Sequence, residues 1–302
     1  MSLQTLSEWL RCPNCLSPLA ANGGLVLRCA SGHSFDANRR GYLSLLGGRS
    51  HVVGDSAAML DAREAFLEAG WYEDLRTAVT TLVAAEQPAR VLDIGCGTGY
   101  YLRGVTEACP TAGYLGMDLS PVAVARTVAA ARTVAAPGHE HAAASGGKLP
   151  EPPHVDGLVA DVWADLPVRT GVADALLNVF APRNPAEFHR VLRDRGLLAV
   201  VVPHDDHLRE LRRCRTGPRY PAEQSRGPQG LPAALVRPGD PDQGHQSSRP
   251  RRGRRCRPDR HGPVGTSHRD GGHRRPLAFP QSRDVLLRRA RLPAPRPARS
   301  PH

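Results

Sequence analysis

Four side chains near the beginning of the sequence have the types and spacing of a metal site. Cys12, Cys15, Cys29 and His33 form the pattern C-x2-C-x13-C-x3-H. Three thiolates and one imidazole complete a tetrahedron around a zinc ion, and since the protein then fills all four positions, we expect the metal to be structural. A short segment with few apolar residues also needs such an ion to hold its fold. A redox pair at Cys12 and Cys15, or four unrelated residues, are the alternatives.

A second pattern, VLDIGCGTGYY at residues 91–101, places a glycine-rich turn directly after an apolar run. Its candidate ligand-binding residues are Gly95, Gly97, Thr98 and Gly99. Glycines allow a tight turn and a close approach to a ligand, and the helix that follows presents its first amides. Asp118 ends the next apolar run, where a carboxylate can accept ribose hydroxyls. The D-x-G-x-G-x-G spacing, headed by Asp93, resembles the S-adenosylmethionine site of Rossmann-like methyltransferases. A dinucleotide site is the alternative, although its glycine spacing is absent.

The elements that must position these residues alternate along residues 89–211. Five apolar runs, ARVLDIGC, AGYLGMDL, DGLVADV, ADALLNVF and GLLAVVVP, predict strands separated by crossover helices. This alternation is typical of an α/β fold with a parallel sheet covered on both faces. Residues 51–88 have helical spacing broken at Gly70, which predicts a helical linker. Residues 1–50 form the metal-binding module, and residues 133–155 are predicted to be a surface loop.

The remaining residues, 212–302, differ sharply in composition. They contain 22 Arg and 6 acidic residues, a balance of +16, whereas the first 211 residues have 18 basic and 23 acidic residues, a balance of −5. The net charge of +11 therefore belongs to this tail. Frequent Pro and Gly with sparse apolar residues predict disorder. One interpretation is a flexible tail that binds RNA phosphates, and the other is a GC-rich gene read in the wrong frame.

The composition argues against several other classes of protein. No apolar run is long enough to span a bilayer, and the N-terminus MSLQTLSEWLRC lacks the basic and apolar regions of a secretory signal. Seven cysteines, an odd number, with no sign of export argue against a disulfide framework. We therefore expect a cytoplasmic protein whose partner is neither a membrane nor DNA, and the sequence does not specify its oligomeric state.

Several stretches together resemble one family. CPNC, CASGHSFDANRRGYLSLL, GDSAAMLDAREAFLEAGWY, LDIGCGTGYY and LNVFAPRNPAEFHRVLR occur in this order between about residue 11 and residue 211. They resemble the bacterial 23S rRNA (guanine-N1)-methyltransferases, and among these the macrolide-resistance members of the tylosin and mycinamicin type. The resemblance implies a Rossmann-like class I methyltransferase, preceded by a zinc module, that methylates N1 of a guanine in the hairpin 35 loop. Full-length members continue with a folded segment, which residues 212–302 do not resemble.

The resemblance also implies roles for individual residues. The family's zinc ligands correspond to Cys12, Cys15, Cys29 and His33. Tyr72, in AGWYEDL, matches a residue that contacts the cofactor, as do Gly97 and Thr98 of the glycine turn. His207, in HDDHLREL, matches a histidine near the cofactor. Apart from the resemblance, Tyr72 could be a core residue of the linker and His207 an exposed residue at a helix start.

The methyl-transfer step suggests three further candidates. Guanine N1 carries a proton near neutral pH that must leave, so a base or an acceptor of negative charge helps. We expect Asn178 to orient the flipped base and Arg183 to hold O6 or a phosphate. Asp161 is expected to contact the adenine ring of the cofactor or to take the proton. Structural roles for Asn178 and Asp161 are the alternatives.

Other functions stay open at this level. Basic residues of the metal-binding module outnumber its acidic ones, with Arg11, Arg28, Arg39, Arg40 and Arg49 against Glu8 and Asp36. This balance favours a grip on RNA, although a solvated basic face is the alternative. A methyltransferase that acts on a macrolide sugar would not need the module. A non-catalytic, zinc-dependent RNA-binding protein would not need the intact glycine turn.

Overall fold

The computed structural model describes residues 3–47, 54–134, 153–203, 234–236 and 285–291 of the 302-residue chain. The helices are α1 (Leu3–Trp9), α2 (Ala57–Glu68), α3 (Glu73–Ala84), α4 (Tyr100–Ala108), α5 (Pro121–Val134) and α6 (Pro185–Val191). The strands are β1 (Leu19–Ala21), β2 (Val26–Cys29), β3 (Ser34–Asn38), β4 (Tyr42–Ser44), β5 (Arg90–Ile94), β6 (Gly113–Asp118), β7 (His154–Val159), β8 (Ala173–Val179), β9 (Leu192–Pro203), β10 (Ala234–Val236) and β11 (Val285–Arg291). None of the helices in these ranges has the length and apolar character needed to cross a membrane.

The described strands form one sheet in the order β1-β2-β3-β4-β7-β6-β5-β8-β9-β11-β10. β5 lies near its centre, with β6 parallel on one side and β8 parallel on the other. Every residue of β8 is buried, as expected for a parallel strand covered on both faces. The predicted α/β fold with a mainly parallel sheet is therefore confirmed. Because the strand order reverses at β5, the carboxyl ends of β5 and β8 border a crevice, which is where open α/β sheets bind ligands.

The metal-binding module is part of this sheet. Its last strand, β4, pairs in parallel with β7, and the amide of Leu45 donates to the carbonyl of Val159 at 2.8 Å. Gly157 allows the close approach, because a Cβ at this position would lie 2.7 Å from Cβ of Tyr42. One apolar cluster contains buried residues of both the module and the core. The hydrophobic core is therefore continuous across the boundary at residue 50 that was predicted between the module and the rest of the chain.

Two arginines tie the module to the segment after β7. Arg169 donates from Nη2 to the carbonyls of Ser7 and Leu19, at 2.7 and 2.9 Å. Arg11 donates from Nε to the carbonyl of Leu166 at 3.0 Å. These bonds supply hydrogen-bond donors to backbone carbonyls that lie in short elements, where few backbone amides are within reach. The module is thus docked by polar contacts as well as by strand pairing.

The predicted helical linker consists of α2 and α3. The break predicted at Gly70 is observed, since this residue has a φ of 83° in the left-handed region that glycine adopts without strain. The hydroxyl of Ser56 accepts the amide of Met59 at 3.3 Å and caps the start of α2. Arg126 of α5 bonds Glu64 of α2 at 2.9 Å, which holds α2 beside the crevice.

The tail is described only at β10 and β11. β11 pairs antiparallel with β9, and β10 pairs antiparallel with β11. The sequence predicted disorder for residues 212–302, whereas the structure places these ten residues in strands. Strand pairing at a sheet edge uses backbone amides and carbonyls, so it does not require a strict alternation of apolar and polar side chains. The rest of the tail and most of the loop predicted at 133–155 lie outside the described residues, and the reading-frame interpretation stays a prediction.

Candidate functional site

The four predicted metal ligands come together in the module. The ligand atoms of Cys12, Cys15, Cys29 and His33 all lie within 4.8 Å of one another. Sγ of Cys15 is 3.6 Å from Sγ of Cys29, and Nδ1 of His33 is 3.3 Å from the same sulfur. Zn–S distances of about 2.3 Å place tetrahedral sulfurs about 3.8 Å apart, so the cluster has the dimensions of a zinc site. The convergence of all four ligand atoms, and not of Cys12 and Cys15 alone, favours a metal site over a redox pair.

Two tight turns present the ligands. In the first, the amide of Cys12 donates to the carbonyl of Ser17 at 2.7 Å, and Leu16 adopts a φ of 60°. In the second, the amide of Cys29 donates to the carbonyl of His33 at 3.0 Å. Hydrogen bonds from Ser17 and then Ser31 lower the pKa of the Cys15 thiol to about 5, which favours the thiolate that a metal requires. The donor set and its geometry fit zinc, and all four positions are held by protein.

The second site is a cavity of about 540 Å³ at the carboxyl ends of β5, β6, β8 and β9. Of the cofactor-binding residues expected from the sequence, the cavity wall includes Tyr72, Gly95, Gly97, Thr98 and Asp118. It also includes Arg183, one of the three catalytic candidates. Asp93 and Gly99 are not among the described lining residues, and His207 lies outside the described part of the chain.

The glycine turn brings the backbone against the cavity. Gly95, Gly97 and Gly99 all have positive φ angles, of 78°, 55° and 78°. The amides of Gly95 and Cys96 both donate to the carbonyl of Met117, at 2.8 and 3.0 Å, which fixes the turn to the end of β6. A Cβ at Gly95 would overlap Cβ of Ala181 from the loop after β8. The position therefore requires glycine for both backbone angle and space.

Asp118 is held in place at the end of β6. Its Oδ2 accepts the amide of Gly97 at 3.1 Å, and its Oδ1 accepts the amide of Ser120 at 2.9 Å. Burial raises the pKa of this carboxyl, while the two amides act in the opposite direction. A carboxylate in this position lies at the cavity wall with lone pairs that ribose hydroxyls can use.

Asp93 lies beneath the turn with only 3% of its surface exposed. Burial, and to a smaller extent the neighbouring Asp118, raises the pKa of Asp93 to about 7. A cation in the cavity would stabilise its ionised form. Asp93 does not line the cavity, but in its ionised form it adds negative charge next to it.

An aromatic cluster forms the opposite wall. The ring of Tyr72 lies 5.8 Å from the ring of Phe66 and 5.8 Å from that of Phe180, which it meets edge to face. Phe180 is 43% exposed and has a φ of 52°, an uncommon conformation for a bulky residue. Sequence reasoning missed Phe180, since no local pattern indicates a positive φ there. The only feature of the sequence that could have indicated a role for Phe180 was its position directly after the fourth predicted strand.

An ion pair within the linker also borders the cavity. Nη1 of Arg63 lies 2.6 Å from Oδ2 of Asp55, and both residues line the cavity wall. The hydroxyl of Ser120 donates to the carbonyl of Asp55 at 2.8 Å, which joins this pair to the end of β6. Neither charged residue was predicted. The pair itself is local, but its position at the cavity depends on the contact of Asp55 with Ser120, which is 65 positions away in the sequence.

The other two catalytic candidates have backbone partners. Asn178 is fully buried, and its Nδ2 donates to the carbonyls of Ile94 and Pro182 at 3.3 and 2.9 Å. Asp161 accepts the amide of Trp163 at 2.9 Å in the turn after β7. Neither residue is among the described residues of the cavity wall. The observed contacts of Asn178 and Asp161 are therefore those expected if both residues have structural roles.

The sheet order, the glycine turn and Asp118 define a class I methyltransferase that uses S-adenosylmethionine. In agreement, the family described as "Methyltransferase domain" matches residues 92–198, and the family described as "RlmA, N-terminal", a zinc ribbon, matches residues 10–49. The zinc held by this zinc ribbon, residues 10–49, is structural.

Comparison with known proteins then identifies the family. The chain is 41% identical over 208 residues to the 23S rRNA (guanine(748)-N(1))-methyltransferase of Streptomyces fradiae, covering 68% of this chain and 66% of the relative. It is 41% identical over 221 residues to a putative 23S rRNA (guanine-N(1)-)-methyltransferase of Micromonospora griseorubida, covering 67% and 68%. A putative enzyme of the same description, YxjB of Bacillus subtilis, is 32% identical over 211 residues, covering 67% of each. The chain belongs to the 23S rRNA (guanine-N1)-methyltransferase family, and the match spans about two thirds of these relatives.

Proposed function

We propose that the protein methylates N1 of a guanine in the hairpin 35 loop of 23S rRNA and thereby confers resistance to macrolides such as tylosin or mycinamicin. The observation that carries the proposal is the joining of a methyl-donor cavity and a zinc ribbon in one sheet, through the pairing of β4 with β7. The relative from Streptomyces fradiae is named for guanine 748 of 23S rRNA, and we assign this chain the corresponding base.

The cavity supports a mechanism based on positioning. When bound, S-adenosylmethionine supplies a methyl group that is already activated by its sulfonium charge. The glycine turn and Asp118 would hold the donor against the ends of β5 and β6. Tyr72 would contact the bound donor, and Phe180, whose ring meets that of Tyr72, would offer its exposed face to a guanine that has left its stack. In-line alignment of N1 with the methyl group is then the main contribution of the protein.

Charged and polar residues at the end of β8 complete this mechanism. Arg183 lies in the cavity wall, where a guanidinium can hold O6 of the guanine and stabilise the negative charge that develops as the N1 proton is released to solvent water. Asn178 acts indirectly, because its amide holds the carbonyl of Pro182, the residue before Arg183. We retain Asp161 as a positioning residue through its bond to Trp163 rather than as a base.

The zinc ribbon supports the choice of RNA as substrate. Arg28, Arg39 and Arg40 are exposed on the ribbon, where they can contact phosphates. Phosphate contacts fix the register of an RNA without reading its sequence, so they would leave the choice of base to the cavity. A small-molecule substrate has no use for such a separate surface.

The test is methylation of a hairpin 35 transcript by the full chain with zinc and labelled S-adenosylmethionine. We expect one methyl group per hairpin, identified as N1-methylguanine by mass spectrometry of the digested RNA. A transcript with adenine at the target position should accept none. Methylation of a macrolide but not of the hairpin would instead support the small-molecule alternative. Cofactor binding without any turnover would support the non-catalytic one.

A further inference from the structure

The turn after β7 presents a tryptophan to solvent. Trp163 is 63% exposed, more than any other large hydrophobic side chain in the described residues, and its exposed neighbours in the turn are Ala164 and Asp165. The turn therefore presents one aromatic ring beside small and acidic residues. An exposed indole offers a flat apolar face on which another planar group can stack.

Hydrogen bonds fix the backbone on both sides of this ring. The amide of Trp163 donates to Oδ1 of Asp161 at 2.9 Å. Nδ2 of Asn184 donates to the carbonyls of Val162 and Ala164, at 3.0 and 3.3 Å. Because three bonds hold the residues around Trp163 while its side chain stays exposed, the turn is a preorganised support for the indole.

The turn lies between the two functional parts of the molecule. On one side, Asn184 directly follows Arg183 of the cavity wall. On the other side, the amide of Arg11 donates to the carbonyl of Pro167 at 3.1 Å, and Arg11 directly precedes the zinc ligand Cys12. The turn that carries Trp163 is therefore connected directly both to the cavity wall and to the zinc ribbon.

We propose that Trp163 stacks on an unpaired nucleobase of the substrate RNA, next to the guanine that enters the cavity. The inference rests on the proposed function and adds a specific contact to it. Aromatic side chains bind unpaired bases by stacking, a contact that every base can make. Stacking on a neighbouring base would also help to keep the loop open while the guanine is outside its stack. Asn184 is then a positioning residue for this contact.

The test compares Trp163→Ala with Trp163→Phe in the full-length, zinc-loaded protein. We expect the alanine variant to raise the KM for the hairpin 35 transcript about 10-fold, and the phenylalanine variant to recover most of this loss. The dissociation constant for S-adenosylmethionine should be unchanged in both. The dependence of RNA affinity on salt should keep its slope, since stacking releases no counterions.

Asn184→Asp provides a second variant. The aspartate keeps an oxygen that can accept the amide of Glu187 at the start of α6, but it cannot donate to Val162 and Ala164. We expect it to raise the KM for the transcript in the same direction as Trp163→Ala, with unchanged cofactor affinity.

The outcomes separate this inference from the proposed function. If the wild-type protein does not methylate the transcript, the proposed function fails. If the wild type is active and Trp163→Ala has the same KM, the stacking contact is absent and the inference is overturned. A weaker affinity of Trp163→Ala for S-adenosylmethionine would assign the effect to the cavity and would also overturn it. Because the side chain is exposed, the alanine variant is expected to fold.

Discussion

The zinc ribbon and the methyltransferase core share a sheet but are stabilised in different ways. The ribbon strands β1, β2 and β3 have three to five residues each and bury only four of their twelve residues, whereas all seven residues of β8 in the core are buried. Apolar burial alone can hold the core, while the ribbon depends on its ion and on its contact with β7. We therefore expect loss of the zinc ion to disturb the ribbon much more than the cofactor cavity.

Removal of zinc should give the largest effect. Binding of a structural zinc ion contributes on the order of 10 kcal/mol to the folding of small zinc modules. We expect Cys29→Ser to lose the ion and to abolish methylation of the hairpin 35 transcript, while affinity for S-adenosylmethionine changes only a few-fold. Zinc content, methylation and calorimetric titration of the cofactor measure these three effects.

Cys109→Ser is the matched control for this prediction. Cys109 is also a free cysteine, but it lies at the end of α4, away from the four ligands. It should keep zinc and full activity. Unchanged RNA methylation by a zinc-free Cys29→Ser protein would contradict the division of roles between ribbon and core.

The converse experiment disables the cavity and spares the ribbon. In Gly95→Ala the new Cβ would overlap Ala181, and the backbone would keep a left-handed φ of 78°. We expect a loss of affinity for S-adenosylmethionine of at least about 100-fold, since the turn must shift away from the position that contacts the ligand. Zinc content should be that of the wild type.

Gly171→Ala separates the two causes of this effect. Gly171 has a φ of 62°, but a Cβ there would meet nothing within 4 Å. We expect a loss of stability of about 1–2 kcal/mol from the backbone angle and no change in cofactor affinity. Equal affinity losses in the two variants would show that the position of Gly95 at the cavity is unimportant.

Gly157→Ala acts at the contact between ribbon and core. A Cβ at this position would lie 2.5 Å from Cγ1 of Val124 and 2.7 Å from Cβ of Tyr42. We expect the free energy of unfolding to fall by about 1–3 kcal/mol, with easier extraction of zinc by a chelator. Gly113→Ala in β6 is the control, because its Cβ would meet only the carbonyl of Ala89 at 3.9 Å. If Gly157→Ala and Gly113→Ala had the same free energy of unfolding, close packing between the ribbon and the core at Gly157 would be excluded.

The difference between local patterns and long-range contacts explains which features could be predicted from the sequence. The zinc ligands, the glycine turn and Asp118 were predicted because each depends on spacing within a short segment or on the end of a recognisable strand. The pairing of β4 with β7 joins residues more than 100 positions apart in the chain, and the sequence patterns do not specify such contacts. Asn178 was expected to face the base, but burial under the loop after β8 uses its amide for backbone carbonyls.

The pH dependence should give the smallest effect and should concern the core alone. The pKa of Asp93 is raised to about 7, mainly by burial, and S-adenosylmethionine carries a positive sulfonium. A cation favours the carboxylate, so binding below pH 7 must release a proton. We expect the dissociation constant to rise up to about tenfold per pH unit as the pH falls below 7, and to level off above it.

Two controls sharpen this prediction. Asp93→Asn should remove the dependence between pH 6 and 8, whereas a contribution from Asp118 would survive the substitution. S-adenosylhomocysteine, which lacks the sulfonium charge, should show a weaker dependence in the wild type. An unchanged pH profile in Asp93→Asn would mean that Asp93 does not respond to the charge in the cavity.

The stability of the ligand-free protein should change in the opposite direction. Because the folded-state pKa of Asp93 lies above its ordinary value of 3.8, the folded protein binds more protons than the unfolded chain between about pH 4 and pH 7. The contribution of Asp93 to the free energy of unfolding therefore decreases as the pH rises through this window. Cofactor affinity increases toward pH 7 for the same reason, since the carboxylate that destabilises the empty cavity is the form that a cation stabilises. Thermal unfolding of wild type and Asp93→Asn at pH 5 and pH 7.5, with and without S-adenosylmethionine, measures both effects in one experiment.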